Sequence, residues 1–521
     1  MLKSMDSSKS AIIERLPNIV LIYCILQPIL DIVGFWQMQL EIGNTVTMAI
    51  RMVLLGGSVF LGFFLSDRKR YYVIMLGILA LLTALHGISN IPGGYTEPVT
   101  DFVNLARIYL MPMTTVAFIT FLRCGRERVL NALKNGMLIN SIIIIAVEII
   151  SVITNTDRET YRHEHIGILG WFFWANSQSA ILSMLAPIVI CWALKRWKEQ
   201  ILPVVLCTVA AEATLYFFGT RLTFGALLAS GVGVSVCLLF LGKTRRKQAL
   251  SIFLVTLAFL LAYPVSPTAK RMQAVWQINS ENEQSIVEQH ITLPSEEIVV
   301  PTDNKDEPRD PNEEPQAPNI SQSDWEKLKK IYRGYLAGVV ERFGYERVMK
   351  KYNYTLDASI LGDWRIEKLS FCELLMEDAP FGQHLFGINL QDMRMFVENG
   401  ILNEHTGQWE DGYKVYDVEN DFHGIYFLLG IVGLILIIGF LLWFGGMALL
   451  RVCKDFETAF TVDMVGFAGG YVFGLLHAYF TVSVLRRNNA SVYMAFILAG
   501  LWYLSQKKNS LPVEEKPHET H

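Results

Sequence analysis

The sequence predicts an all-α polytopic membrane protein with about 12 transmembrane helices. One large, mainly helical extracytoplasmic loop is expected between helices 9 and 10. Three observations predict this. Apolar runs near 20 residues recur along the 521-residue chain. Only 18% of residues are charged against 52% hydrophobic, far from the balance of a soluble chain of this length. Lys and Arg gather in alternate connections.

Window hydropathy places the spans near 17–36, 44–65, 72–90, 101–122, 132–154, 171–194, 201–219, 222–242, 249–265, 423–445, 459–484 and 490–506. The first run lacks a small-residue cleavage site and reads as a true span rather than a signal. The connections "SDRKRYY", "RCGRERVLNALK", "KRWKEQ" and "GKTRRKQ" are basic, whereas "QMQLEIG" and "IPGGYTEPVTD" carry no basic residue. The positive-inside rule puts the first set in the cytoplasm, with both termini and the tail 507–521. "LRRNN" before the last span runs against the rule. The chain thus divides into helices 1–9 (1–265), the loop (266–422) and helices 10–12 (423–506).

The loop opens with an acidic, Pro-rich stretch over 280–322 that is too poor in apolar residues to order itself. Residues 323–400 read as helical. Ser323 and Glu326 stand at capping-box spacing before an amphipathic run, and a second helix is expected over Ser359–Glu377. Of seven cysteines only Cys372 lies in this loop, so neither a disulfide framework nor a CxxC metal pattern is possible there.

This topology assigns a depth to each intramembrane polar residue. Asp31, Arg51, Arg107, Glu148, Asn176, Gln178, Glu212, Arg221 and His477 all fall in the outer half, and only Asp463 lies near the inner face. Such groups face the bundle interior or a wet cavity. Their shared depth points to a polar site open to the loop. The plainer reading is ion pairs that only fix helix packing.

Arg221 follows Gly219 and Thr220 in a short break between apolar runs, where a helix start favours an anion. Its forked guanidinium suits a phosphate; snorkelling to headgroups is the alternative. Lys270 and Arg271 follow the ninth span and read as phosphate ligands or as an interfacial anchor. Glu419, Asp421 and His423 crowd the mouth of the tenth span. Glu419 and His423 share a face if that helix starts early, and either is suited to general-base work beside a bound phosphate. A plain acidic helix N-terminus is the competing account. Gly430 and Gly433 read as close-packing positions. No metal, nucleotide or other cofactor motif is present, and no nucleic-acid partner is expected.

Four segments together resemble the O-antigen ligase and polymerase-like family of membrane glycosyltransferases. They are "GTRLTFGALLASGVGV", "KRMQAVW", "RIEKLSFCELLMEDAPFGQHLFGINL" and "ENDFHGIYFLLGIVGLIL". The resemblance implies a GT-C-like fold in the bacterial cytoplasmic (inner) membrane and a role in cell-surface polysaccharide biosynthesis. A glycan would pass from an undecaprenyl-diphosphate carrier to an acceptor sugar on a glycan or glycolipid, without metal. The diphosphate-binding role carries over to Arg221, Arg271 and Arg365. The family's His-Asn pair, counted back from Gly430, falls on Glu419-Asn420, with His423 a turn later. The candidate bases are therefore Glu419, then His423, with Asp421 beside them. A transporter or flippase of lipid-linked sugars would share the spans and arginines, though it would more often show inverted repeats. A non-catalytic assembly partner is the third class.

Overall fold

The computed structural model describes residues 2–43, 45–95, 98–161, 165–242, 245–288, 339, 342–343, 345–351, 364–389, 393–403, 408–414, 418–481 and 484–506. In chain order the elements are α1 (Leu2–Gln39), α2 (Thr45–Leu65), α3 (Arg70–Asn90), α4 (Pro98–Ile153), β1 (Arg158–Tyr161), β2 (Ile166–Gly170), α5 (Ala175–Arg196), α6 (Ile201–Phe218), α7 (Arg221–Phe240), α8 (Arg246–Leu261) and α9 (Pro267–Glu288). Then come α10 (Tyr345–Lys351), α11 (Trp364–Glu377), α12 (Phe381–Phe386), β3 (Arg394–Asn403), β4 (Gln408–Lys414), α13 (Asp421–Lys454), α14 (Phe456–Ala459), α15 (Val462–Phe480) and α16 (Asn488–Ser505). Among the described residues, eight helices are long and apolar enough to cross a membrane: α1 to α7 and α13.

The 56 residues of α4 would span about 84 Å as one rod, far more than a bilayer. The helix breaks at Arg126 (φ 49°, ψ −134°) and runs as two rods, in line with the two apolar runs read there. α5 sits at the centre of the bundle, with 94% of its apolar window buried. It packs on α15, α6 and α7, while α1 and α16 flank α4. Glycines let α15 approach α5 closely; a Cβ on Gly470 would lie 2.8 Å from the Met184 carbonyl oxygen. At the end of the bundle that carries the basic connections, Lys134 and Lys195 reach Asp463 at 3.0 and 2.5 Å. The seven cysteines are all free.

Outside the bundle, one part of the expectation is not covered by the described residues and two features depart from it. The helix expected from Ser323 and the linker beyond Glu288 lie outside the described residues. Helix α9 extends the chain well past the ninth apolar run. Two short antiparallel hairpins, β1–β2 and β3–β4, occur in a chain with no sheet-scale strand pattern.

A wedge joins this segment to the bundle. α13 breaks at Gly430 (φ 65°, ψ −171°), and the turn after α12 enters the break. A Cβ on Gly387 (φ 92°) would lie 2.3 Å from the Leu428 carbonyl, and one on Gly430 would lie 2.2 Å from that of Leu385. Gly430 is therefore a bend that admits backbone, not the helix-packing glycine expected from its spacing. Irregular backbone in this setting needs polar partners, and α3 supplies them. The Ile388 amide donates to the Phe427 carbonyl at 2.7 Å. His86 meets the Phe386 carbonyl at 2.7 Å and Asp101 at 2.6 Å. Asn90 donates to the Gly387 carbonyl at 3.1 Å and accepts from Gln383 and the Asn389 amide.

Candidate active site

Three turns meet at the end of the bundle that carries the extramembrane segment. The break between α6 and α7 is Gly219 and Thr220. Gly219 (φ 84°) lies against Pro267 at the start of α9, where an added Cβ would stand 2.8 Å from the proline ring. Gly167 of β2 (φ 79°) lies against the Phe218 carbonyl. Thr220 caps α7, its hydroxyl accepting from the Thr223 amide at 3.1 Å and meeting Ser179 at 3.2 Å. Thr268 of α9 donates to the Thr220 carbonyl at 3.5 Å.

These contacts fix the carriers of the arginines. Arg221 is the first residue of α7 and is exposed. Arg271, one turn into α9, places its guanidinium 4.6 Å from the ring centre of Tyr161 on β1. Burial pushes the Tyr161 hydroxyl above its ordinary range; the charges of Arg271, Arg365 and Arg221, and a hydrogen bond with Arg271, pull it the other way. Arg271 thus touches Tyr161 directly, and Arg365 and Arg221 lie near enough for their charges to act on its hydroxyl. Lys270, beside Arg271, is exposed.

Arg365, on the first turn of α11, pairs with Glu419 at 2.5 Å. The Glu419 side chain is 5% exposed and that of Arg365 is 54% exposed. Asn176, on the first turn of α5, donates to the other Glu419 oxygen at 3.4 Å. Glu419 precedes the helix. Asn420 is the cap of α13, accepting from the Phe422 and His423 amides at 2.9 and 3.1 Å. Glu419 and His423 therefore do not share a helix face. His423 is exposed on the first turn and stacks on Phe427, ring centres 6.4 Å apart.

Asp421 is wholly buried. It accepts from the Val484 and Leu485 amides at 2.8 and 2.7 Å and from Arg486 at 3.1 Å. Arg486 also donates to the Val418 carbonyl. A carboxylate so engaged is a clamp on the Glu419 segment, not a base open to a substrate. Gly424 leaves the room: a Cβ there would collide with the Arg486 guanidinium at 2.1 Å.

The polar residues expected in the outer half have different partners. Arg51 pairs with Asp31 at 2.7 Å. Glu212 accepts from Thr256 at 2.7 Å rather than from an arginine. His477 meets Ser183 at 3.0 Å. Two residues were given no site role in the sequence reading, Tyr161 and Arg486. The first sits on a four-residue strand, and the second lies in the connection that runs against the charge rule.

The profile of the family described as O-antigen ligase like membrane protein matches residues 13–341 and 403–507. The chain belongs to that family. No curated protein matches it. Membership makes this O-antigen ligase-like protein a membrane glycan-transfer protein of polysaccharide biosynthesis, and so a glycosyl-transferring enzyme. Arg221, Arg271, Glu419 and His423 fall within the match. Arg365 and the wedge after α12 do not, so geometry alone ties Arg365 to Glu419.

Proposed function

We propose that this O-antigen ligase-like protein moves a glycan from an undecaprenyl-diphosphate carrier to an acceptor sugar hydroxyl at the outer face of the bacterial cytoplasmic membrane. The observation that carries the reading is the pairing of Arg365 with the buried Glu419 at the end of the bundle where Arg221 opens α7 and Arg271 lies on Tyr161. Three arginines at this end of the bundle, one of them on a shielded carboxylate, match a diphosphate leaving group and a base. The acceptor oxygen attacks the anomeric carbon and its proton passes to Glu419. The carbon–oxygen bond to the diphosphate breaks, and the electron pair stays on the diphosphate, which Arg221, Arg271 and Arg365 stabilise. Charge stabilisation of this kind is usually the larger share of catalysis, and the base adds roughly 100- to 10,000-fold. His423 stands at the exposed rim, suited to orienting the acceptor. Asp421 and Arg486 position Glu419. The reaction requires no metal.

Counting the two rods of α4 separately, and adding α8, α15 and α16, gives twelve crossings. Both termini then fall in the cytoplasm, and the site faces outward. Purified protein incubated with a lipid-linked oligosaccharide tests the reading. A product ladder marks a polymerase and a single added block a ligase. Arg221→Ala should abolish transfer more completely than His423→Ala; full turnover by Arg221→Ala rejects the assignment.

A further inference from the structure

A cavity of about 250 Å³ opens at the same end of the bundle between the ends of α1, α2, α4, α5 and α16. Its wall carries four arginines, Arg51, Arg107, Arg486 and Arg487, against a single carboxylate, Asp31. Arg51 holds that carboxylate and Asp421 holds Arg486; among the lining residues guanidinium groups still outnumber carboxylates. Arg487 is braced flat on Trp174, 4.3 Å from the ring centre. Arg107 is steered by a bond to Asn104 at 3.0 Å.

Two amides in the wall make the cavity more than an anion hole. Gln178 is 1% exposed, and its Nε2 has no hydrogen-bond partner among the described residues. The Asn488 Oδ1 is likewise without one. A buried amide left this way is costly. A bare anion would satisfy the Gln178 donor but offers nothing to the Asn488 acceptor. A hydroxyl-bearing ligand satisfies both, and Trp174 provides the aromatic wall. The volume suits one ring of an oligosaccharide rather than a large ligand. Gln178 and Asn176 stand two residues apart on α5, about 200° around the helix. The α5 start therefore separates this cavity from Glu419, which Asn176 touches.

We infer that the cavity receives an acidic sugar, a pyranose carrying a carboxylate, from the acceptor glycan. The inference rests on the transfer reading above and places donor and acceptor on opposite sides of the Glu419 segment. The full chain in nanodiscs tests it. The probe is an oligosaccharide of alternating glucuronate and N-acetylglucosamine, compared with the same oligosaccharide after reduction of its carboxyls to alcohols. Binding is read by tryptophan fluorescence and calorimetry.

The acidic form should bind at least tenfold tighter than the reduced form. Arg107→Gln should remove that difference, and Gln178→Leu should weaken both forms at least threefold. Both variants should keep the wild-type melting temperature and bind undecaprenyl diphosphate within twofold of wild type. Equal binding of the two forms by the wild type overturns the inference. So does wild-type affinity in both variants, or displacement of the acidic oligosaccharide by equimolar pyrophosphate, which would mark a phosphate site. The transfer reading fails separately: undecaprenyl diphosphate affinity unchanged in Arg221→Ala would reject it whatever the oligosaccharide does.

Discussion

Glu419 and Asp421 are two residues apart and do unlike work. Asp421 faces a buried guanidinium, so Asp421→Asn takes that counter-charge from Arg486. Breaking one partner of a buried pair costs about 3–5 kcal/mol. The variant should melt well below wild type in detergent, read by fluorescence-detected unfolding. Glu419→Gln keeps the shape and loses the proton acceptor; turnover should fall roughly 100- to 10,000-fold with little change in melting. Equal melting of the two variants would reject this division. Tyr161 gives a second contrast. Tyr161→Phe keeps the ring under Arg271, whereas Tyr161→Ala removes it. An arginine–ring contact contributes about 0.5–2 kcal/mol. The Ala variant should therefore bind undecaprenyl diphosphate more weakly than the Phe variant by roughly 2- to 30-fold at equilibrium. The sequence shows three titratable residues in five positions at the mouth of the tenth span. It does not show which of them turns inward, because that depends on Arg486, distant in sequence and brought in by packing.

Elements meet here through backbone as much as through side chains. Gly387 and Gly430 both have positive φ, and each lies against the other segment's carbonyls. Alanine at either needs a left-handed residue, costing about 1–2 kcal/mol, and must also displace backbone. Gly387→Ala and Gly430→Ala should each lower the melting temperature. Gly439→Ala, with nothing within 4 Å of its added Cβ, should hold or raise it. A Gly439 variant that melts as low as the other two would remove the wedge from the account. The apolar helices were legible because their periodicity and length exceed any alternative. The hairpin β1–β2 was not. Its strands have four and five residues, at the lower limit of a strand signal. What holds β2 in place is a contact to the α6–α7 break. Gly430 reads from spacing alone as a packing position, because the segment that enters its bend, Leu385 to Gly387, lies 43 to 45 residues upstream.

At the scale of the whole molecule, the two ends of the bundle are chemically unlike. One carries the arginine cluster and the cationic cavity; the other holds Asp463 between two lysines. The proposed orientation predicts a labelling pattern. In a cysteine-free background, Thr154→Cys beside β1 should react with an impermeant maleimide on intact spheroplasts. Lys69→Cys, between α2 and α3, should react only after permeabilisation. The reverse pattern would invert the membrane orientation and with it the outward site. The pairing of Arg365 with Glu419 has a consequence for the order of events. In the proposed reaction, Glu419 is muzzled by the Arg365 cation until the carrier lipid arrives. A pyrophosphate that recruits this cation uncovers the carboxylate as it docks. The lipid-borne substrate thus arms the enzyme, and an acceptor that arrives first meets a partner unable to deprotonate it.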